Sequence, residues 1–186
     1  ILHVASESHV DRSIAAPVAF FENNVSITLS MLEYARAHPP RTFLNFGSDE
    51  VYGAQDHAEW DVLLPSNPYA ASKAAAEMVC ISYWSTYKVP VVLTTSNNIV
   101  GPNQHPEKFV PKLVERIWRG ETVHVHCHGG DPGRRFYNPV ENAAADYLFS
   151  DKLGWSRLDA DGVTLFQRQP RYSSLQDFLD QLPSQE

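Results

Sequence analysis

Between residues 41 and 94 the chain reads as strand, acidic turn, helix and strand, and that order restricts the fold more than anything else in it. Arg41-Thr42-Phe43-Leu44-Asn45-Phe46 is a run of strand formers that stops at Gly47. Ser48, Asp49 and Glu50 follow at once, so they fall at the carboxyl end of the strand, where open α/β sheets bind ligands. Asn67-Pro68 then opens a helix that continues to about Tyr87, with proline in its first turn and alanine-rich spacing after it. Pro90-Val91-Val92-Leu93-Thr94 reads as the next strand. The expected class is α/β.

Within that helix Tyr69 and Lys73 are spaced i, i+4 and share a face. An ammonium beside a phenol favours the phenolate, so Tyr69 is expected to exchange a proton near neutral pH. Two adjacent acids in a closed site can take different protonation states, one donating and one accepting. A proton-exchanging tyrosine together with such a pair suggests redox chemistry coupled to an elimination. Solvated loop charges and an ordinary helix face are the competing readings of the same residues.

The Tyr69–Lys73 pair resembles the acid/base pair of the short-chain dehydrogenase/reductase superfamily. Four segments, Ala5-Ser6-Glu7-Ser8-His9-Val10-Asp11-Arg12-Ser13, Ser48-Asp49-Glu50-Val51-Tyr52-Gly53, Asn67-Pro68-Tyr69-Ala70-Ala71-Ser72-Lys73-Ala74 and Gly101-Pro102-Asn103-Gln104-His105-Pro106-Glu107-Lys108, resemble successive signatures of nucleotide-sugar 4,6-dehydratases of the dTDP-glucose type. The resemblance runs from Ile1 to about Asn142. It implies a Rossmann-like doubly wound parallel sheet, here partial, with a small C-terminal substrate-binding lobe, and NAD as cofactor. It further implies that Tyr69 takes the proton of a sugar 4-hydroxyl as hydride leaves for NAD, while Ser48 hydrogen-bonds the new ketone. Glu50 then removes the 5-proton, Asp49 protonates the departing 6-hydroxyl, and hydride returns to the 6-position. Ala5, Ser96 and Asn97, with Tyr69 and Lys73, are the implied cofactor contacts. Ser13, Asn98, Lys108 and Arg134 are the implied contacts to a nucleoside-diphosphate hexose, dTDP- or UDP-linked. A homodimer through the helix bearing Tyr69 and the helix before it is also implied.

Departures from the family pattern are expected to matter. Thr95 stands where arginine is usual, and Arg134-Arg135-Phe136 where Arg-Asp-Trp is usual, which leaves the nucleotide and the product open. No G-x-G-x-x-G or G-x-x-G-x-x-G occurs, so the pyrophosphate-holding turn of a Rossmann half is not in this sequence. The expectation is a fragment, a cleaved chain or a degenerate relative. Residues 1–100 are expected to form a partial NAD-binding domain and 101–186 an incomplete, interleaved nucleotide-sugar lobe. In the latter, Val163-Thr164-Leu165-Phe166 suggests a strand and 174–182 a short helix. An epimerase, a decarboxylase, a 5,6-ene-forming dehydratase or a non-catalytic binder on the same scaffold are the alternatives.

Composition narrows the partners. A net charge of −7 argues against a nucleic-acid groove. No apolar run reaches the roughly 20 residues needed to span a bilayer, and two cysteines in no paired motif suggest a reducing, cytoplasmic setting. His124, His126 and His128 alternate as metal ligands on a strand could, but no carboxylate completes a set, and no metal site is expected. Pro17 to about Ala37 reads as an amphipathic helix with Phe21, Val25, Leu29 and Leu32 near one face, stopped by His38-Pro39-Pro40.

Overall fold

The computed structural model describes residues 1–53, 61–124, 127–128, 131–132, 137–140, 143, 156–160 and 163–167. They fall into two compact units, one of Ile1–Ser96 with Ser156–Gln167, the other within Asn97–Trp155 and Arg168–Glu186. The expected helix at 174–182 lies outside the described residues, as do His126 and Arg134.

The first unit is built on three parallel strands, β1 (Leu2–His3), β2 (Phe43–Phe46) and β3 (Val91–Thr94), in the order β1-β2-β3. Leu2 pairs with Leu44, and Phe43 with Val91. After β1 come a short helix α1 (Val10–Ala15) and the long α2 (Pro17–Ala37); α3 (Pro68–Tyr87) joins β2 to β3. Parallel neighbours joined by right-handed crossovers put successive helices on one face of a sheet. Accordingly Leu32 and Ala35 of α2, Cys80 and Tyr83 of α3, and Phe43 of β2 form one buried cluster. Proline at the start of both long helices matches the missing N–H that a first turn leaves unused. The hairpin β8 (Ser156–Ala160) and β9 (Val163–Gln167) completes this unit.

The spans of α2 and α3 agree with the sequence reading, but the buried face of α2 does not. Phe20, Asn24, Thr28, Leu32 and Ala35 are buried, whereas Phe21 and Leu29 are 40% and 41% exposed. Apolar spacing misplaces the face because Asn24 and Thr28 are buried for their hydrogen bonds. Thr28 donates to the Asn24 carbonyl at 2.8 Å, so His3 Nε2, 3.0 Å from the same hydroxyl, is its donor.

In the second unit β4 (Asn98–Val100) pairs in parallel with β7 (Tyr137–Pro139), and β5 (Cys127–His128) pairs with β6 (Asp131–Pro132) in antiparallel. Its helix α4 (Phe109–Trp118) has no buried residue.

Candidate active site

At the end of β2 the backbone passes so close to its neighbours that only glycine fits. A Cβ on Gly47 would lie 2.2 Å from the Thr94 carbonyl oxygen and 2.6 Å from Glu77 Oε1. The Gly47 N–H donates to that Thr94 oxygen at 2.7 Å, and its carbonyl accepts from Ser96 Oγ at 3.1 Å. Ser48 then caps a 3₁₀ turn over Asp49–Tyr52, its Oγ accepting from the Glu50 N–H. The turn leaves through Gly53 at φ +84°, a left-handed conformation with Leu64 O close by.

The start of α3 is brought to this turn by Asn67. Its Oδ1 caps the helix by accepting from the Ala70 N–H at 2.9 Å, and its Nδ2 donates to Glu50 Oε2 at 3.2 Å. One amide therefore sets both the helix bearing Tyr69 and the orientation of the Glu50 carboxylate. Tyr69 follows two residues later, half-buried and edge-on to Phe20, with the Ser48 hydroxyl acting on its phenol.

The electrostatics of Tyr69 correct one expectation. Burial pushes the phenol up to about 12; the hydrogen bond to Ser48 opposes this, and the nearby Glu50, Asp49 and Glu77 charges add to it. Lys73 is not among the groups that act on it. The ammonium instead donates to the Phe46 carbonyl at 2.6 Å, and burial lowers its own pKa against the pull of Glu77. The i, i+4 pair shares a face, as the sequence indicated, but in this structure the lysine grips the loop below the phenol.

Beneath the site lies a network that the sequence did not announce. Asn24 Nδ2 donates to Ser72 Oγ at 2.8 Å and to the Glu7 carbonyl at 3.1 Å, and its Oδ1 accepts from the Glu7 N–H at 2.7 Å. Ser72 Oγ in turn donates to the Tyr69 carbonyl at 2.7 Å. Ser13, expected to meet substrate, is 0% exposed; its hydroxyl donates to Val10 O and accepts from the Tyr69 N–H at 3.0 Å. It fastens α1 to the first turn of α3.

Of the remaining expected residues, Ala5 is exposed just beyond β1, and Ser96 has its carbonyl on the Asp49 N–H as well as its hydroxyl on Gly47. Asn97, Asn98 and Lys108 belong to the second unit. Asn97 is exposed; Asn98 sits in β4 with its Nδ2 buried and without a hydrogen-bond partner. Lys108 is the residue before α4 and hydrogen-bonds its own N–H to His105 O at 3.0 Å. The structure thus brings Ser48, Asp49, Glu50, Tyr69, Lys73 and Ser96 together around one loop.

Residues 1–149 match the NAD dependent epimerase/dehydratase family. The chain belongs to that family. Among its relatives, the dTDP-glucose 4,6-dehydratase of Streptomyces antibioticus is 39% identical over 159 residues, which cover 76% of this chain and 48% of the relative. A trifunctional Arabidopsis thaliana protein, a UDP-glucose 4,6-dehydratase that is also a 3,5-epimerase and a reductase, is 39% identical over 138 residues, 70% of this chain and 21% of that one. In three dimensions the chain is similar to DesIV, a dTDP-glucose 4,6-dehydratase of Streptomyces venezuelae solved with NAD bound. The TM-score is 0.73 at 37% identity, covering 79% of this chain and 46% of that one. The chain spans about half the length or less of the curated relatives it matches. The parallel sheet is the Rossmann-like fold expected of the family, in part.

NAD is the cofactor in the family's name, and the first unit fits one part of it. Ala5, exposed with only a methyl side chain, lets backbone at the strand end approach a ligand closely, and Lys73 brings a cation to the same sheet end. A glycine-rich pyrophosphate turn is not among these residues. No described helix is long and apolar enough to cross a membrane.

Proposed function

We propose that this chain carries the catalytic residues of an NAD-dependent nucleotide-sugar 4,6-dehydratase acting on a dTDP- or UDP-hexose. The observation that supports this best is the Asp49–Glu50 pair on the turn capped by Ser48, with the Ser48 hydroxyl and both acid charges acting on the Tyr69 phenol. An epimerase or decarboxylase on this scaffold needs the tyrosine but has no use for two acids beside it.

NAD, when bound, supplies the hydride acceptor and donor and a positively charged ring. Tyr69 would accept the proton of the sugar 4-hydroxyl, for which its pKa must fall from about 12; the positive charge that NAD carries would act in that direction. Ser48, whose hydroxyl acts on the same phenol, is assigned to hold the 4-oxygen by hydrogen bond. The 4-ketone acidifies the 5-position, and Glu50, oriented by Asn67, removes that proton. Asp49 protonates the 6-hydroxyl, which leaves as water. Asn98, with an unpartnered buried amide donor, and Lys108 are assigned to the nucleotide diphosphate, for which amides and cations are suitable partners. Ala5, Ser96 and Asn97 are assigned to the cofactor.

A second copy of the chain is proposed to cover the exposed apolar side chains of the two long helices, Val18, Phe21 and Leu29 on α2 and Met78 and Ile81 on α3. Sedimentation of the wild type against Phe21→Glu tests this, a monomer in both cases removing the dimer.

The activity is tested by incubating the full-length protein and NAD with dTDP-glucose, UDP-glucose and UDP-N-acetylglucosamine and following the mass of each sugar. Loss of one water from one of them is expected. Glu50→Gln is expected to lower that rate by on the order of a hundredfold or more while leaving sugar binding intact. Turnover that survives this substitution would point to the epimerase reading instead.

A further inference from the structure

A buried acid that the reaction does not use lies behind the catalytic loop. Tyr69, Lys73 and Glu77 fall at i, i+4 and i+8 on α3, so all three face the end of β2. Glu77 is 6% exposed. Its carboxyl feels the Ser48 backbone N–H, while its Oε1 is buried without a hydrogen-bond partner, against Gly47. Lys73 holds the Phe46 carbonyl on the other side of the same glycine. A buried carboxyl with one oxygen unsatisfied is a costly thing to keep in an alanine-rich helix, where an apolar residue would pack without that loss.

We propose that Glu77 is a positioning residue for the reaction: together with Lys73 it clamps the Phe46-Gly47-Ser48 backbone from below, and the charge on its carboxyl sets how firmly the Ser48 hydroxyl is held on Tyr69. This deepens the dehydratase reading and rests on it only for the name of the reaction.

The geometry leaves the loop no other way to slip. Thr94 at the end of β3 and Ser96 just past it hold the two peptides that flank the Gly47 Cα, and Lys73 holds the first of those same peptides from α3 through the Phe46 carbonyl. The Ser48 N–H belongs to the second of these peptides, and a carboxylate at Glu77 attracts it more strongly than a carboxylic acid does. Burial lifts the Glu77 carboxyl to about 7, against the opposing pulls of Lys73 and of the Ser48 N–H. Among the described residues, the charged and titratable groups around it are Lys73 and Cys80 on α3, the Tyr69 phenol with Asp49 and Glu50 beside it, and, on β1, His3, which feels Lys73. Acidification through neutrality loosens the clamp.

The amide resonances of Gly47 and Ser48, followed by NMR from roughly pH 5 to pH 9, test this without substrate or cofactor. In the wild type the Ser48 amide proton is expected to shift with an inflection near the Glu77 value of about 7, and in Glu77→Gln it is expected to stay flat. A Ser48 amide that does not titrate in the wild type overturns the proposal, and so does the same inflection in the variant. The wild-type titration decides alone if Glu77→Gln does not fold. In the full-length enzyme Glu77→Gln is expected to lower kcat by on the order of tenfold, to leave KM within about twofold, and to remove an acid limb from the pH profile. A raised KM with unchanged kcat overturns the positioning role. A wild type that turns over no sugar removes the dehydratase reading, while the amide titration still decides the clamp.

Discussion

Helices α3 and α4 invert each other. The first has only a weak separation of apolar and polar faces in sequence, yet it buries eight residues, among them Ser72, Lys73 and Glu77. The second alternates apolar and charged residues as a core-facing helix should, yet none of its residues is buried, and Trp118 is 89% exposed. Amphipathic spacing reports what a helix could bury, whereas function places polar groups on the face that is buried in fact. In α3 Ser72 is engaged with Asn24 and the Tyr69 carbonyl and Lys73 with Phe46, while Glu77 keeps one buried oxygen unpartnered behind Gly47.

The contrast can be broken most severely at Gly47. Gly47→Ala forces a methyl to within 2.2 Å of the Thr94 oxygen, a backbone atom that cannot turn aside, and is expected to cost at least about 4 kcal/mol in denaturant unfolding. The equivalent change at Gly120, just past α4, meets nothing within 4 Å and is strained only by its φ of +67°, so about 1 kcal/mol is expected. Equal losses at the two glycines would dissolve the distinction.

Next in size is the pH dependence that Glu77 imposes. The folded protein keeps the Glu77 proton to about 7, whereas the unfolded chain releases it near its ordinary 4.5. The native state then binds more protons, so stability falls as pH rises from about 4.5 to about 7, by about 3 kcal/mol in all. The favourable contribution is complete below 4.5 and lost as pH passes the folded value. Urea midpoints for wild type and Glu77→Gln should therefore diverge over that window, and parallel curves would argue against the raised value.

Asn24→Ala should cost about 2 kcal/mol, because it leaves the half-buried Glu7 N–H and the buried Ser72 hydroxyl short of partners. Smallest of all is Trp118→Ala on α4, expected within about 0.5 kcal/mol of wild type despite the size of the side chain lost. A larger loss would show that the face is covered in solution.

Much of the first unit was legible in the sequence. Prolines 17 and 68 and the stop at His38-Pro39-Pro40 are local signals, and they bounded α2 and α3 correctly. The Ser48–Glu50 turn and the Tyr69–Lys73 pair could be read because unusual residue types stood at the end of a strand and at helical spacing. What escaped is non-local. Asn24 and Thr28 look like solvated positions until Glu7, Ser72 and His3, distant in sequence, arrive as partners. Phe21 and Leu29 were placed on the buried face for the same reason. The target of Lys73 is a backbone carbonyl, which no side-chain pattern records. Glu77 lies four residues beyond Lys73, and that spacing on a face already marked by Tyr69 was the one available hint.

Asn24 also has a dynamic consequence. Its single amide makes three hydrogen bonds, two to the backbone of Glu7 and one to Ser72, which is itself bound to the carbonyl of Tyr69. The segment after β1 and the first turn of α3 cannot open separately without stranding a buried donor. They should exchange their amide hydrogens as one cooperative unit, so that the wall beside Ala5 and the helix carrying the phenol loosen together or not at all.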